Sequence, residues 1–535
     1  MAVRNHRLAA LVFFAFLAVL HSWPLASNPA GLARLDNHDA ELNTWIISWV
    51  PHALVTSPLN LFHAPIFHPE RYSLAFSEHM LVPSLFGAPL IWAGVSPVLV
   101  YNLLIMLGFT LSGFAMYWVM AAWTGSQSAA LIAGLAYAFN AHVLTRFVHL
   151  QAMHVEFFPI VLYAFDRVLT QRRVRDGVLL AAAFVLQALC SNYLMVFTTY
   201  ALIACAVVRW RELPVIGRAE GSPGPLLIAA GISIILLAPF LWPYYQVDQA
   251  YGLARSVDVV TQYNAGWRDY LVTGGRLHYQ WWSHALYEGR TALFPGITVG
   301  LLAMAALFAG RGLADPRIRM TLALGVVGVA FSLGTSLPGY SILHDVLPLL
   351  SGLRNVARWG WLALAAAAIL AGFAAAALER RHRRRSLVIA ITLCVLITGE
   401  SIRTPVGYTP FNGMPKIYDR FAGNEVVVAE FPFYAGASVA ENGRYVLANT
   451  RYFQPLLNGY SGFHPEPFLA RGRALGSFPS EQALAELKVA GVTDVLVHVA
   501  AFRDRYSDAA LQAIDTVPTL QFVVEEDGIR LYRLK

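Results

Sequence analysis

Residues 79–145, HMLVPSLFGAPLIWAGVSPVLVYNLLIMLGFTLSGFAMYWVMAAWTGSQSAALIAGLAYAFNAHVLT, contain no Asp, Glu, Lys or Arg. A transmembrane helix needs about 20 consecutive apolar residues, so a run of this length must hold more than one span. Residues 177–208 are equally free of charge. The chain of 535 residues is 57% hydrophobic and only 13% charged, whereas an ordinary soluble domain is about 25% charged. The sequence therefore predicts an all-α polytopic membrane protein.

The formal net charge of +7 comes from short arginine-rich segments rather than from one basic surface. These segments lie at residues 4–7, 172–175, 209–218, 311–319 and 380–385. Arginines that gather in short loops between apolar runs are the positive-inside pattern of cytoplasmic loops. The positive charge therefore indicates membrane topology, and nucleic acid is not an expected partner. Three cysteines, Cys190, Cys205 and Cys394, lie inside apolar runs, so neither a disulfide framework nor a thiolate zinc site is predicted.

Hydropathy predicts about eleven spans, and this number places every arginine-rich loop on one side of the membrane. The predicted spans are residues 8–26, 98–121, 128–141, 152–169, 177–190, 193–208, 226–244, 292–310, 321–337, 357–378 and 386–400. The apolar stretch 81–95 is short and interrupted by Pro83, Gly87 and Pro89, which predicts a re-entrant or interfacial segment. Residues 8–26 have one alternative, a cleaved signal peptide, because small residues follow them.

The orientation follows from the arginines: the N-terminus is predicted to be cytoplasmic. Four loops are then expected outside, at residues 27–97, 142–151, 245–291 and 338–356, as is everything after Ile402. This division gives a transmembrane module at 1–401, with a long first outer loop at 27–97, and an extracytoplasmic domain at 402–535.

The tail at 402–535 has the pattern of a small α/β domain. EVVVAEFPF (425–433) and VTDVLVHVAAF (492–502) are typical of buried strands. Between them, Ser480 is expected to begin a helix that Gly491 ends. An Asp527-Gly528 turn predicts a hairpin near the C-terminus.

The densest acidic cluster follows the first span, in RLDNHDAELNTWIISWV (34–50). It contains Asp36, His38, Asp39 and Glu41. One interpretation is that Asp39 caps a helix by accepting the backbone N–H of residue 41 or 42. The other is a general base at the membrane surface, half desolvated by lipid and by the tryptophans that follow. Composition alone favours the cap.

Three stretches resemble the GT-C glycosyltransferase superfamily of membrane proteins, whose members include protein O-mannosyltransferases and the aminoarabinose transferase of lipid A. The stretches are LDNHDAELNTWIISWVPHAL (35–54), NLFHAPIFHPERYSLAFSEHMLVPSLFGAPLIW (60–92) and PVLVYNLLIMLGFTLSGFAMYWVMAAWTGSQSAALIAGLAYAFN (97–140). The resemblance covers about residues 8–219 in sequence and the rest in architecture. It implies a shared module of the first seven or so helices and a long first outer loop with a catalytic Asp early in it.

This resemblance assigns the general base. HDAELNTW matches the family pattern at Asp39, with His38 where glycine is usual. Asp39 is therefore the expected base, with Asp36 and Glu41 as the alternatives.

Further candidates lie in the same predicted outer layer. Glu78 closes the first loop, where the alternative is a solvated turn. The resemblance implies a second acidic residue near Glu156, which we expect to position the acceptor. His142, Arg146 and His149 are spaced i, i+4, i+7 and would share one face if their segment is helical. Their spacing is not that of a helical HExxH zinc site; no cofactor is predicted, with a divalent metal as the alternative.

A polyprenyl phosphate leaving group needs cations. Outer arginines close to span ends are Arg146, Arg255, Arg354 and Arg358. Arg354 and Arg358 would lie one helical turn apart, a spacing that suits a paired clamp on phosphate oxygens. The alternative is interfacial anchoring beside two tryptophans. The aromatic-rich segment 263–284 likewise fits either sugar stacking or a membrane-interface belt.

The sequence thus predicts an inverting integral-membrane glycosyltransferase of the bacterial inner membrane. Its partners would be membrane lipids, a polyprenyl-phosphate sugar donor and an envelope glycan, lipid or protein acceptor. The alternatives are a transporter or flippase, against which the nearly charge-free spans argue, and a noncatalytic envelope-polymer assembly protein.

Overall fold

A computed structural model describes residues 2–34, 37–213, 223–287, 291–309, 312–347 and 349–535. The described chain is mainly helical. In its N-terminal half the helices are α1 Ala2–Ser22, α2 His38–Thr56, α3 Leu81–Trp92, α4 Pro97–Thr124, α5 Gln127–Ala138, α6 Ala141–Thr145, α7 Leu150–Met153, α8 Phe157–Gln171, α9 Val174–Cys190, α10 Asn192–Val208 and α11 Gly224–Tyr251. They continue as α12 Val257–Thr261, α13 Arg276–His278, α14 His284–Leu286, α15 Ile297–Phe308, α16 Pro316–Ser332, α17 Tyr340–Val346, α18 Gly360–Arg381, α19 Ser386–Ser401, α20 Gly443–Ala448, α21 Glu466–Leu475, α22 Glu481–Val489, α23 Val499–Arg505 and α24 Asp508–Asp515.

Six strands form two sheets. The strands are β1 Leu32–Ala33, β2 Thr409–Pro410, β3 Val428–Phe431, β4 Asp494–His498, β5 Leu520–Glu526 and β6 Ile529–Leu534. β1 and β2 make a short antiparallel pair, and the larger sheet has the order β3-β4-β6-β5. β3 and β4 are parallel, with Val428 opposite Asp494, whereas β4–β6 and β5–β6 are antiparallel.

The chain folds into two compact units. The first unit contains Met1–Ser27, Leu103–Pro239 and Ala254–Val406, and the second contains Asn28–Asn102, Phe240–Leu253 and Gly407–Lys535. The predicted first outer loop and the predicted C-terminal domain therefore belong to the same unit.

Within the described part of the chain, five helical segments are long and apolar enough to cross a membrane. They are Asn5–Ser22, Pro97–Thr124, Gln127–Thr145, Gly224–Tyr251 and Val356–Arg381. Each of the eleven predicted spans overlaps at least one helix, and several of these helices are shorter than a full span. The stretch 81–95 forms the twelve-residue helix α3, which is apolar but shorter than the five.

The core of the first unit is built around α18, GWLALAAAAILAGFAAAALERR. Alanine and glycine make up most of this helix, and small residues let helices approach closely without a large side chain between them. α18 packs against α5, α15 and α16. Two large side chains at its start, Trp359 and Trp361, are fully buried.

The first unit contains a buried ion cluster. The Asp166 carboxylate accepts from Nη1 of Arg209 at 2.6 Å and from Nε of Arg317 at 2.9 Å. Arg209, itself buried, also pairs with Glu212. Both arginines come from segments that the sequence predicts to be cytoplasmic loops.

The second unit confirms the elements predicted for the C-terminal region. β3 and β4 lie inside the two apolar stretches, and both strands are buried. Ser480 caps α22 by accepting the N–H of Ala483, and Gly491 follows the helix with φ +72°. Asp527 and Gly528 connect β5 and β6 with positive φ at both residues, as a tight hairpin turn requires.

Candidate active site

The acidic cluster stands at the first turn of α2, in the second unit. Asn37, not Asp39, is the N-cap: its backbone is extended, and its side chain accepts the N–H of Asp39 at 2.9 Å. The cap interpretation of Asp39 is therefore wrong. Asn37 supplies the cap hydrogen bond, and Asp39 lies in the first turn of the helix.

A tyrosine from the C-terminal region contacts Asp39. The Tyr460 hydroxyl donates to Oδ1 of Asp39 at 2.7 Å. The contact fixes the direction of the Asp39 side chain, which a base must have before a hydroxyl can meet it.

His38 lies between two carboxylates. Its Nδ1 is 2.8 Å from Oε2 of Glu41 and its Nε2 is 3.6 Å from Oε1 of Glu441. The hydrogen bond to Glu41 raises the pKa of His38 above its ordinary 6.5. The pair therefore stabilises the fold below pH 6.5, and this contribution is lost as the pH rises through the raised pKa. Asp36, the third carboxylate of the predicted cluster, lies outside the described residues.

The tryptophans of α2 are buried in protein. Trp45 and Trp49 stack with ring centroids 6.1 Å apart, and Nε1 of Trp45 donates to Oδ1 of Asn449 at 3.1 Å. Nε1 of Trp49 donates to the carbonyl of Leu61. These contacts bury both indole rings within the second unit.

Glu78 is buried just before α3. Its neighbour His79 is fully buried, which lowers the pKa of His79 to about 4, and Nδ1 of His79 accepts the N–H of Leu81. The alternative of a solvated turn at Glu78 is therefore wrong, because the turn is buried. A Cβ on Gly462 would lie 3.3 Å from the carbonyl of Phe76, so the segment that carries Tyr460 also contacts the chain next to Glu78.

Gly459 brings this segment close to the core of the second unit. A Cβ on Gly459 would lie 2.4 Å from the ring of Phe67, which is fully buried. Gly459→Ala is expected to destabilise the protein by about 1–3 kcal/mol, because a packed ring has no space to move into. Thermal unfolding of the purified protein in detergent measures the loss.

Gly407→Ala is the matched control, since a Cβ there meets nothing within 4 Å. Equal melting temperatures for the two variants would contradict the close contact between Gly459 and Phe67.

The first unit contains a separate group of cations. The segment of His142, Arg146 and His149 is not one helix: α6 ends at Thr145 and α7 starts at Leu150. The expectation that the three residues share one face of a helix is wrong, because the helix that Asn140 caps ends in a turn after five residues. All three side chains nevertheless line one pocket, together with Tyr193 and Arg358; we call it the Arg358 pocket.

Arg358 lies over the Tyr193 ring, with its Cζ 4.6 Å from the ring centroid. Its Nε is buried and has no hydrogen-bond partner among the residues that the structure describes. An unsatisfied buried guanidinium donor is costly, and it is of the kind that an anion satisfies.

Arg354 does not share a helix with Arg358, as the spacing of the predicted clamp assumed. It precedes the 3₁₀ turn Val356–Trp359 rather than lying one helical turn away, and its Cζ is 5.3 Å from the Tyr263 ring. Arg354 is exposed and is close enough to Arg255 that, after burial, its charge helps to lower the pKa of Arg255. Arg354 therefore lies near Arg255, whereas Arg358 lines the pocket.

Glu156 is buried immediately before α8. Its Oε1 is 3.0 Å from Nδ1 of His154, whose Nε2 is 3.1 Å from the carbonyl of Leu104. Oε2 of Glu156 has no hydrogen-bond partner within the described chain. Glu156 does not line the Arg358 pocket, although its neighbour Val155 does.

No three His, Cys, Asp or Glu side chains come together as metal ligands among the described residues. The sequence also gave no sign of two contacts that matter here, Tyr460 with Asp39 and Tyr193 with Arg358. Tyr460 lies 421 residues from its partner, and no spacing rule connects positions so far apart.

No family model matches the chain, and no curated protein matches it. Among solved structures, the arabinofuranosyltransferase AftD from Mycobacteria has a TM-score of 0.60 and 15% identity, over 99% of this chain and 40% of that one. The oligosaccharyltransferase AglB from Archaeoglobus fulgidus is also similar, with a TM-score of 0.49 and 12% identity over 99% of this chain and 74% of that one. ArnT from Cupriavidus metallidurans has a TM-score of 0.49 and 12% identity over 100% of this chain and 98% of that one.

The fold assignment rests on AftD, of which the chain spans about 40% of the length. At 15% identity this likeness shows the fold alone, a mainly helical chain with several apolar helices and a small sheet in its C-terminal region, as the sequence predicts.

Proposed function

We propose that the chain is an inverting glycosyltransferase of the bacterial inner membrane. It transfers a sugar from a polyprenyl-phosphate donor to a glycan, lipid or protein of the envelope on the outer face. The observation that carries the proposal is the Asp39 carboxylate, which accepts the Tyr460 hydroxyl at 2.7 Å and lies in the first turn of a helix whose N-cap is Asn37. Asp39 also occupies the position at which the resemblance to GT-C glycosyltransferases predicts a general base.

Asp39 accepts the proton of an acceptor hydroxyl as the oxygen attacks the anomeric carbon of the donor sugar. The new bond forms as the bond from that carbon to the phosphate oxygen breaks, and the phosphate leaves with the electron pair. A single displacement of this kind inverts the anomeric centre. Glu78 and Glu156 are the further acidic candidates, and Glu156 is assigned to acceptor positioning.

The departing phosphate requires cations that do not titrate at neutral pH. The Arg358 pocket offers two guanidinium groups, Arg358 and Arg146, with His142 and His149 beside them. Guanidinium binds phosphate oxygens through charge-assisted, paired hydrogen bonds. The unsatisfied Nε of Arg358 supports this role.

The test is transfer by the purified protein. The donors are polyprenyl phosphates that carry radiolabelled pentoses or hexoses, and the acceptors are envelope glycans, lipids and peptides. Product with the opposite anomeric configuration supports the proposal. If the folded protein transfers no sugar yet speeds movement of the lipid across vesicles, the proposal is wrong and a flippase is favoured.

The outer location has its own prediction. Reporter fusions after Arg175, Arg319 and Arg385 should indicate the cytoplasm, and a fusion at Lys535 the outer face, because loops rich in arginine stay inside. Alkaline phosphatase and green fluorescent protein fusions measure this pair of outcomes. A cytoplasmic signal at Lys535 would place the second unit, and Asp39 with it, on the wrong side for a polyprenyl donor.

A further inference from the structure

The second unit contains two buried asparagine side chains that the proposed mechanism does not use. Asn442 and Asn458 are fully buried, and Nδ2 of Asn458 donates to Oδ1 of Asn442 at 3.1 Å; we call them the amide pair. Burial of an amide is unfavourable unless its donors and acceptors are paired. Both amides make several hydrogen bonds, and the groups that they hold indicate their role.

Asn458 ends the pairing of its segment with strand β3. At the residue before it, the backbone makes the contact, since the Leu457 N–H donates to the carbonyl of Val428 at 2.8 Å. At Asn458 the side chain takes over. Its Oδ1 accepts the N–H of Glu430 at 2.8 Å, and its Nδ2 donates to the Glu430 carbonyl at 2.9 Å. The side-chain amide thus substitutes for a peptide group, and the chain can leave the sheet while the backbone of Glu430 stays paired.

Asn442 holds the next residue along the chain. Its Nδ2 donates to the carbonyls of Tyr434 at 2.8 Å, Val439 at 3.1 Å and Gly459 at 3.3 Å. Gly459 directly precedes Tyr460. The amide pair therefore fixes the two residues through which the chain runs from the sheet to this tyrosine.

The Asn442 backbone lies next to the first turn of α2. Gly443 follows it and begins α20. A Cβ on Gly443 would lie 2.5 Å from Oε2 of Glu41 and 3.0 Å from Cβ of His38, so α20 begins in close contact with that turn. Asn442 therefore connects the residue before Tyr460 with the helix that packs against the start of α2.

We infer that the amide pair positions Tyr460 so that its hydroxyl meets the Asp39 carboxylate. The 2.7 Å hydrogen bond between these two side chains joins positions 421 residues apart, and both amides hold the chain immediately before the tyrosine. A shift of this backbone moves the hydroxyl with it, and a misplacement of about 1 Å can cost about 10²-fold in rate. Asn442 and Asn458 are thus positioning residues. The inference rests on the proposed function in one respect, that Asp39 is the base of sugar transfer.

Fluorine NMR of the folded full chain in detergent tests the positioning. The probe is 3-fluorotyrosine at residue 460, and its signal in the Asp39→Ala background defines the loss of the hydrogen bond. Asn442→Ala and Asn458→Ala should each move the signal of the otherwise wild-type protein toward that value. If only one of these variants folds, that variant decides. An unchanged signal in a folded variant would overturn the inference.

Asn449→Ala is the matched control. Asn449 is equally buried, follows α20 and also holds a residue of α2, since its Oδ1 accepts Nε1 of Trp45 at 3.1 Å. Its Nδ2 donates to the carbonyl of Gln454 rather than to the residue before Tyr460. Its loss should therefore lower the melting temperature and leave the fluorine signal in place. A signal that moves as far in this control as in Asn442→Ala would overturn the inference.

Kinetics distinguish positioning from a general loss of stability. Asn442→Ala is expected to lower kcat about 10-fold in the wild-type background. In the Tyr460→Phe background the loss should be less than about 2-fold, because the hydroxyl that the amide pair positions is already absent. KM for the donor should be unchanged in both backgrounds. Equal losses of kcat in the two backgrounds would overturn the inference.

The two measurements separate this inference from the proposed function. If the protein transfers no sugar, the transferase proposal fails, and the fluorine signal still decides whether the amide pair places Tyr460 against Asp39. If transfer is measured and Asn442→Ala leaves both the signal and kcat unchanged, the transferase proposal stands and the inference fails.

Discussion

Asp39→Asn is expected to lower the rate of sugar transfer by about 10²–10⁴-fold while the protein stays folded, because it removes a general base. Asparagine keeps the Oδ1 atom that accepts the Tyr460 hydroxyl, and the helix end stays capped by Asn37. The variant therefore removes the negative charge and the proton acceptor while keeping these two contacts. Initial rates with saturating donor and acceptor measure the effect, and donor binding should be normal.

Two variants of α2 are the controls. Glu41→Gln should keep most activity, since its carboxylate hydrogen-bonds to His38 rather than to the acceptor. Asn37→Ala removes the actual cap and should cost about 1 kcal/mol of stability without the loss of rate seen at Asp39. An active Asp39→Asn enzyme would remove the base from this position, and inactivity confined to Glu41→Gln would move it to residue 41.

Arg358→Lys is expected to raise the apparent KM for the lipid donor by about 10- to 100-fold. Lysine keeps the charge but lacks the planar fork that pairs with phosphate oxygens, and a charge-assisted hydrogen bond contributes about 1.5–3 kcal/mol. Steady-state kinetics with varied donor concentration measure the change, and kcat at saturating donor should fall less than kcat/KM.

Arg354→Lys provides the comparison on the same segment. Arg354 is exposed, lies over Tyr263 and is not part of the Arg358 pocket, so we expect a smaller change in KM. Unchanged kinetics at Arg358 would reduce it to a structural contact with the Tyr193 ring. Equal effects at both arginines would restore the paired clamp that the spacing first suggested.

The sequence was sufficient for the architecture because its strongest signals are local. Charge-free runs require helices, and an Asp527-Gly528 turn between apolar stretches requires a hairpin, whatever the rest of the chain does. The N-cap of the helix that contains Asp39 was harder to predict. Asn37 and Asp39 both suit an N-cap, and only the backbone conformation decides between them.

The candidate site was less predictable because its contacts are distant in sequence. Tyr460 meets Asp39 only after the C-terminal region has folded onto the first loop within the second unit. Likewise, the i, i+4, i+7 spacing of His142, Arg146 and His149 assumed a helix that ends at Thr145. The three still line one pocket, because the turn that ends α6 keeps them near Tyr193.

The buried pairing of Asp166 with Arg209 and Arg317 restricts how the chain threads the bilayer. Side chains in direct contact lie on the same side of the membrane, so the number of crossings between any two of them must be even. The predicted spans at 177–190 and 193–208 give two crossings from Asp166 to Arg209, and those at 226–244 and 292–310 give two more to Arg317. A topology with one span added or removed within either interval would separate these charges across the membrane. The cluster therefore requires an even number of spans in each interval, whereas hydropathy alone does not decide whether a short apolar helix crosses the membrane.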